Sequence, residues 1–148
     1  MKKLISVLLA GVVTLVLSGC GGGDDDYYYA PELTYHLQTY NAITDTYEGV
    51  EGVYYECGPD IVGYTDLDGA FTMIEGDYCT LYDLDYTLSY EYDLLYIGLD
   101  RWGDIAVGDI RYDCDSGISD YTDELGTFVF DPEYIGSVSD GDVCGFNF

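Results

Sequence analysis

The chain has 148 residues, of which 29 are acidic and only four are lysine or arginine, so its formal net charge is −25 at pH 7. A field of this sign repels polyanions, and we exclude nucleic acid as a partner. The composition also excludes a disordered chain, because 48% of the residues are hydrophobic and 16% are aromatic, including 18 tyrosines.

The N-terminus begins with a short positive stretch, Lys2 and Lys3, followed by an apolar run from Leu4 to Leu17. The run is too short for a stable membrane span and ends in small residues. We therefore predict that residues 1–19 form a secretory signal peptide.

The last residues of this segment, Leu17-Ser18-Gly19-Cys20, resemble the lipobox of bacterial lipoproteins. The resemblance implies that Cys20 becomes the first residue of the mature chain and carries acyl chains such as palmitate, which anchor it in a membrane. Gly21 at the next position favours the outer membrane. The alternative is a plain signal peptide with a chance cysteine.

The next segment, residues 20–34, is predicted to be a flexible acidic tether that starts at the lipid-bearing cysteine. Three glycines and three aspartates open it, and Pro31 resists both helix and sheet. Without residues 1–19 the positive side chains are Arg101 and Arg111, so the mature charge is 2 − 29 = −27. Such a surface attracts cations and is screened by salt, which fits a saline habitat.

An internal repeat is visible in the rest of the chain. CGPDIVGYTDLDGAF (57–71) matches CDSGISDYTDELGTF (114–128) without a gap, and EGDYC (75–79) then matches DGDVC (140–144). Two matching blocks in the same order indicate a duplication. We assign the copies to about 50–97 and 105–148.

The cysteines follow the repeat. Four of the five remain after Cys20 is assigned to lipid, and four cysteines allow three pairings. The copies favour Cys57–Cys79 and Cys114–Cys144, and export would place them in an oxidising compartment. A metal site is the alternative, but no C-x-x-C spacing is present and the single histidine, His36, is remote in sequence.

Strand patterns dominate this region. From Tyr82 to Tyr96, apolar residues at even positions alternate with polar residues, which predicts extended structure with a bend near Thr87–Ser89. We interpret this tyrosine-rich segment as sheet core, with an exposed ligand-binding face as the alternative. Other extended segments are Val53–Cys57, Ala70–Ile74, Ile105–Cys114, Thr127–Phe130 and Val143–Phe148. The predicted fold of residues 35–148 is an all-β, disulfide-stapled antiparallel sandwich built from two related halves.

The repeated T-D-x-x-G-x-F stretch is predicted to be a tight turn, in which aspartate caps the backbone and Gly69 supplies a positive φ. It resembles the turn of carboxypeptidase-regulatory-like and Cna-B-like β-sandwich repeats. That resemblance implies a structural or adhesive module in a secreted or surface protein. The cysteines depart from the usual pattern of those repeats, and each copy is shorter than a whole domain.

Calcium binding is the alternative for the same stretch. Asp66 and Asp68 begin like a calcium loop, but Phe71 and Met73 occupy later ligand places, and Leu125 replaces Asp68 in the second copy. We predict no resident cofactor, with Ca²⁺ at Asp66 and Asp68 as the alternative.

No catalytic constellation is recognisable in the sequence. His36 has no serine in a G-x-S-x-G elbow to act with, and 29 carboxylates make any acidic pair uninformative. Trp102, beside Arg101, is predicted to pack in the core or a hairpin, with a stacking platform for a sugar or a partner as the alternative. The sequence favours a non-enzymatic, membrane-anchored envelope lipoprotein with a structural, adhesive or partner-binding role, for which an envelope protein or a glycan is the candidate partner. The alternative is a calcium- or carbohydrate-binding module.

Overall fold

The computed structural model describes residues 30–91, 93–99, 105–137 and 140–148. The predicted signal peptide, Cys20 and Trp102 with Arg101 lie outside these residues. Within them, no helix is long and apolar enough to cross a membrane.

The described residues form an all-β structure, as predicted. The strands are Glu32–Asn41 (β1), Thr46–Gly49 (β2), Tyr54–Cys57 (β3), Ile61–Tyr64 (β4), Ala70–Ile74 (β5), Tyr78–Leu84 (β6), Leu94–Gly98 (β7), Arg111–Cys114 (β8), Ser119–Tyr121 (β9), Thr127–Val129 (β10) and Asp142–Asn147 (β11).

The strands form two antiparallel sheets. The five-stranded sheet has the order β10-β7-β1-β2. The remaining strand, β5, lies on the same side of β1 as β2: β5 pairs with the first half of β1 and β2 with the second half. The six-stranded sheet has the order β4-β3-β6-β11-β8-β9. The long strand β1 therefore organises one sheet, and the central pair of β6 and β11 organises the other.

The core lies between the sheets and is aromatic. Tyr55 of β3 packs on Phe71 of β5 with ring centroids 5.8 Å apart, and Tyr112 of β8 packs on Phe128 of β10 at the same distance. Phe146 joins the second pair at 4.8 Å from Phe128. These contacts connect the two sheets face to face, which makes the structure a sandwich.

The duplication is visible in the sheet order. In the six-stranded sheet, β4-β3-β6 from the first half meets β9-β8-β11 from the second at the β6–β11 pair. In the five-stranded sheet, β1 with β5 meets β7 with β10 at the β1–β7 pair. β7 occupies in the second half the position that β1 occupies in the first, so the boundary between the halves lies between β6 and β7. The copy assigned to 50–97 includes β7.

Both predicted disulfides are confirmed, Cys57–Cys79 and Cys114–Cys144. Each joins residues that lie directly opposite on neighbouring strands, β3 with β6 and β8 with β11. Both disulfides therefore link neighbouring strands within the six-stranded sheet, and neither connects the two sheets.

Some predicted boundaries differ from the structure. The tether was extended to residue 34, but β1 already begins at Glu32 because that residue pairs with Ile74 of β5. The extended segment Ile105–Cys114 is a strand only from Arg111, preceded by an isolated bridge between Gly98 and Ala106.

The interpretation of Tyr82–Tyr96 as one core-facing tyrosine segment is wrong. Residues 85–91 contain turns that follow β6, and the next strand, β7, lies in the other sheet, so that Tyr86 and Tyr90 are exposed. A register shift opposite Asp142–Cys144 bulges β6 and changes which residues face inward, so Leu81 and Leu84 are both buried. In β7 the core residues are Leu95 and Ile97, at odd positions.

Candidate functional site

The repeated threonine before each turn joins the turn to the segment that precedes β3 in the first half and β8 in the second. Thr65 Oγ1 donates to the Val50 carbonyl at 2.6 Å and accepts from Val53 N at 3.0 Å. Thr122 Oγ1 repeats both bonds with Val107 O and Ile110 N, at 2.8 and 3.0 Å. Because both threonines are buried, these hydroxyls satisfy backbone groups that water cannot reach.

The repeated aspartate caps the turn. Asp66 Oδ1 accepts from the amides of Asp68 and Ala70, each at 2.9 Å. Asp123 Oδ1 accepts from Leu125 N and Thr127 N in the same way, at 2.8 and 2.9 Å. The equivalence holds although the second turn has leucine where the first has Asp68. The carboxylate that began the suggested calcium loop is thus used in both copies to shape the turn.

His36 lies on β1 opposite Ala70 and Gly98. Its Nδ1 is 3.2 Å from the carbonyl oxygen of Asp68. The imidazole therefore contacts the backbone of the first turn, and no hydroxyl or thiol in the described residues pairs with it.

A buried carboxylate, Asp142, holds the second half together. It is fully buried at the start of β11, where its oxygens accept from the amides of Ser116 at 3.0 Å, Asp131 at 2.8 Å and Val143 at 3.0 Å. The hydroxyl of Ser116 donates to it as well, at 2.7 Å. Four donors offset the desolvation of one negative charge. The sequence showed Asp142 only as part of the DGDVC block.

Asp142 also lies beside a disulfide. Its carboxylate and the sulfurs of Cys114 and Cys144 fall within 4.8 Å of one another, the single group of three potential metal ligands among the described residues. Both sulfurs are bonded to each other and the carboxylate oxygens are occupied by donors. This cluster is therefore a structural one.

The outer face of the six-stranded sheet carries a row of tyrosines. Tyr64, Tyr54 and Tyr82 lie side by side on β4, β3 and β6, with ring centroids 5.2 and 5.4 Å apart. The hydroxyls of Tyr54 and Tyr82 donate to the two oxygens of Glu56, at 2.8 and 3.0 Å. We call Tyr64, Tyr54, Tyr82 and Glu56 the tyrosine row. Its residues alternate with the core residues of the same strands, so it faces solvent.

The carboxylate of Glu56 perturbs its neighbours. The hydrogen bond to Glu56 raises the pKa of Tyr54, with partial desolvation and the negative charge adding to it. Desolvation and then its own hydrogen bond to Glu56 raise the pKa of Tyr82. Both phenols therefore remain protonated donors, and the row presents aromatic rings around one fixed negative charge.

The same face continues to the other edge of the sheet. The ring of Tyr78 lies across β11 against Gly145, where a side chain would collide with it. Beyond it, Arg111 forms an exposed ion pair with Asp113 at 3.3 Å, and the Ser119 hydroxyl also donates to that carboxylate. The Ser119 hydrogen bond and then Arg111 lower the pKa of Asp113.

A second cluster of aromatic rings lies on the outer face of the five-stranded sheet. Tyr47 contacts Tyr40 at 5.3 Å and Tyr96 at 5.1 Å between ring centroids, so rings from both neighbours of β1 meet over that strand. Gln38 lies opposite Tyr96 in register and is fully buried, and its side-chain amide has no hydrogen-bond partner among the described residues. Since it has no exposed surface, Gln38 cannot contact a ligand.

An open cleft of about 300 Å³ lies between the β1–β2 hairpin and residues 87–90. Tyr90 closes one side, because its amide donates to Thr39 Oγ1 and its hydroxyl to Glu48 Oε2, each at 3.1 Å. Asn41 fixes the other oxygen of Glu48 at 2.9 Å, and Glu51 stands exposed at the rim. The cleft thus offers carboxylates and one half-exposed aromatic ring.

Comparisons with known proteins give no relative from which a role for these sites could be transferred. No family model, no curated protein and no solved structure matches the chain.

Proposed function

We propose that this protein is an envelope lipoprotein, anchored through Cys20 in the outer membrane, with a non-catalytic structural, adhesive or partner-binding role. The observation that carries the binding role is the tyrosine row, in which Tyr64 is 68% exposed at the sheet edge. Tyrosine rings offer a large contact area with few rotatable bonds, and their hydroxyls add hydrogen bonds.

The two disulfides support export. Disulfides persist in oxidising compartments and are rare where thioredoxin and glutathione keep thiols reduced. Two cross-strand cystines also suit a protein that must keep its fold outside the cell, since each closes a loop of the unfolded chain and contributes roughly 2–4 kcal/mol.

The anchor is tested by labelling. The full chain expressed with a clickable palmitate analogue should incorporate the label and sediment with membranes, and Cys20→Ser should do neither. Incorporation in the serine variant, or an unlabelled wild-type chain released into the medium, would contradict lipidation at this residue.

The binding face is tested by adhesion. Purified protein carrying Tyr54→Ser and Tyr64→Ser should lose most of its saturable retention on isolated envelope material. Tyr86→Ser is the matched control, because Tyr86 is 52% exposed and lies outside the row. Equal retention of all three proteins would show that the tyrosine row is not the binding face.

A carbohydrate or calcium module is the second candidate, and the cleft beside Tyr90 favours it. An aromatic ring with nearby carboxylates suits sugar hydroxyls, whereas calcium needs six to eight oxygens. Thermal melting with neutral oligosaccharides should show a saturable rise in the midpoint that Tyr90→Ser abolishes. Millimolar calcium should be compared with sodium chloride of matched ionic strength, since only a specific site exceeds the effect of screening.

A further inference from the structure

The six-stranded sheet ends in two edge strands that are equivalent by the duplication but differ in how they are protected. Residues 61–64, Ile-Val-Gly-Tyr, include β4 at one edge, and residues 118–121, Ile-Ser-Asp-Tyr, include β9 at the other. An unprotected edge strand presents free amides and carbonyls to other chains.

The hydrogen bond of the residue that follows each edge strand shows which amides of that strand point away from the sheet. Thr65 N donates to Val53 O at 2.9 Å, and Thr122 N donates to Ile110 O at 2.8 Å, so both amides point into the sheet. Amides alternate sides along an antiparallel strand. Those of Val62 and Tyr64 in β4, and of Ser119 and Tyr121 in β9, therefore point outward.

The edge of β9 is protected by its own aspartate. Tyr121 N donates to Asp120 Oδ1 at 2.9 Å, so one of the two outward amides is already occupied and the edge carries a negative charge. In β4 the equivalent position is Gly63, which has no side chain to do this. A Cβ at Gly63 would lie 2.9 Å from the hydroxyl of Tyr55, so the packing of that core tyrosine disfavours any side chain there.

The open edge is also apolar. Val62 is 61% exposed and Tyr64 68% exposed, and no charged residue lies within the strand. Uncharged edges with free backbone groups are the structures that accept an added strand.

The surrounding charges determine what kind of strand fits. Asp60 and Asp66 are exposed at the two ends of β4, and Glu56 lies across from Val62. A second copy of this chain would bring the same charges against them, with a formal charge of −25 on each full chain. A segment with lysine or arginine would be attracted.

We propose that the free edge of β4 binds an extended, basic segment of a partner protein by strand addition. The inference rests on the proposed partner-binding role, for which it names the partner's chemistry. The incoming backbone would pair with Val62 and Tyr64, and its basic side chains would lie near Asp60 and Asp66, with Glu56 adding to the negative field one strand further in.

The test uses a fluorescent peptide of eight residues that alternates lysine with valine. Anisotropy titration should show saturable binding to the purified, oxidised protein. Val62→Pro removes one outward amide without breaking a bond inside the sheet, and it should weaken binding at least tenfold. Val62→Thr keeps the amide and is the matched control. Val62→Lys keeps the amide but adds a positive charge that repels the peptide, so it should also weaken binding. This variant replaces Val62→Pro in the test if the proline variant does not fold.

Two peptide controls separate strand addition from general attraction. A peptide with glutamate in place of lysine should not bind, and a lysine peptide with central prolines, equal in charge, should bind at least tenfold more weakly. Amide exchange at Val62 and Tyr64 should slow when the alternating peptide is added.

Several results would overturn the inference. These are equal binding of the proline-containing peptide, undiminished binding by Val62→Pro and Val62→Lys, or no saturable binding at all. Sedimentation that shows a dimer of the protein lost in Val62→Pro would identify a second copy as the occupant instead. Acylation of Cys20, measured separately, distinguishes failure of this inference from failure of the proposed anchor.

Discussion

At the residue scale, the chain uses its carboxylates as acceptors for backbone and phenol donors. Asp66 and Asp123 shape turns, Asp142 joins three segments, and Glu56 binds two tyrosine hydroxyls. With so few basic residues in the sequence, most acidic side chains cannot form ion pairs. Amide and hydroxyl donors take that role, and they fix position without neutralising charge.

Replacing Asp142 by alanine should be the most damaging change of a single acidic residue. It leaves the amides of Ser116, Asp131 and Val143 without their acceptor, and each buried donor without a partner costs about 1–3 kcal/mol. We expect a loss of at least about 3 kcal/mol in urea unfolding. Asp140→Ala, at an exposed position, should change the unfolding free energy little. Similar midpoints for the two variants would refute the structural role of Asp142.

The tyrosines predict a loss of stability at alkaline pH. Among the described residues, eight tyrosines have a raised pKa, through hydrogen bonds to carboxylates at Tyr40, Tyr54 and Tyr90 and mainly through burial elsewhere. Unfolded tyrosine titrates near pH 10. The folded state is therefore favoured fully below about pH 10, and this contribution is lost as pH rises through the folded pKa values. Absorbance at 295 nm should show tyrosinate forming at higher pH in the native protein than in urea. Coincident titration curves would contradict this.

At the element scale, each half is built around one turn that touches the opposite sheet's central strand. Gly69 N donates to Asp66 O, and Gly69 O accepts from Leu37 N of β1 at 2.9 Å. Gly126 makes the equivalent bond with Ile97 of β7, also at 2.9 Å. Both glycines have positive φ, 76° and 73°. The turn therefore needs glycine for two reasons, backbone conformation and close approach.

Two glycine-to-alanine substitutions distinguish the energetic cost of the backbone conformation from that of the close approach to β1. Gly69→Ala places a Cβ against the Leu37 carbonyl, whereas Gly76, at φ 87°, has open space around it. Gly76→Ala should cost only the strain of a left-handed residue, about 1–2 kcal/mol. Gly69→Ala should cost at least twice as much or prevent folding, as judged by chemical denaturation. Equal losses would mean that the close approach to β1 has no energetic importance.

At the scale of the whole molecule, the high negative charge makes self-repulsion an unfavourable electrostatic contribution to folding. The sequence carries 29 acidic residues and four basic ones, and compaction brings those negative charges together. Tyrosine rings cover both outer sheet faces where the stems of lysine and arginine would otherwise lie. This explains how so acidic a chain keeps an extensive apolar surface out of water.

Salt should therefore stabilise the protein. The Debye length falls from about 30 Å at 0.01 M to about 3 Å at 1 M, so screening weakens repulsion across the whole surface. The melting midpoint should rise by several degrees over that range in sodium chloride. Tetramethylammonium chloride should act similarly, because the effect is one of ionic strength. A midpoint that is independent of salt would exclude self-repulsion as a significant term.

The sequence by itself determined the fold class, the cystine pairing and the equivalence of the two turns. These depend on local alternation, turn chemistry and a duplicated pattern, all of which are readable along the chain. It also placed a bend near residues 87–89, where β6 and β7 separate. It missed β1, the longest strand, together with β2, β4 and β9. The strands β4 and β9 are short and broken by glycine or aspartate, so they lack a clear period.

Only the tertiary structure decided which sheet each strand joins and which tyrosines face solvent. A single bulge in β6 reverses the inward face, and no pattern of period two shows where a bulge falls. The burial of Asp142 and the difference between Gly63 and Asp120 likewise depend on neighbours distant in sequence. Local patterns specify strands and turns, whereas register and packing arise from contacts between segments far apart in the chain.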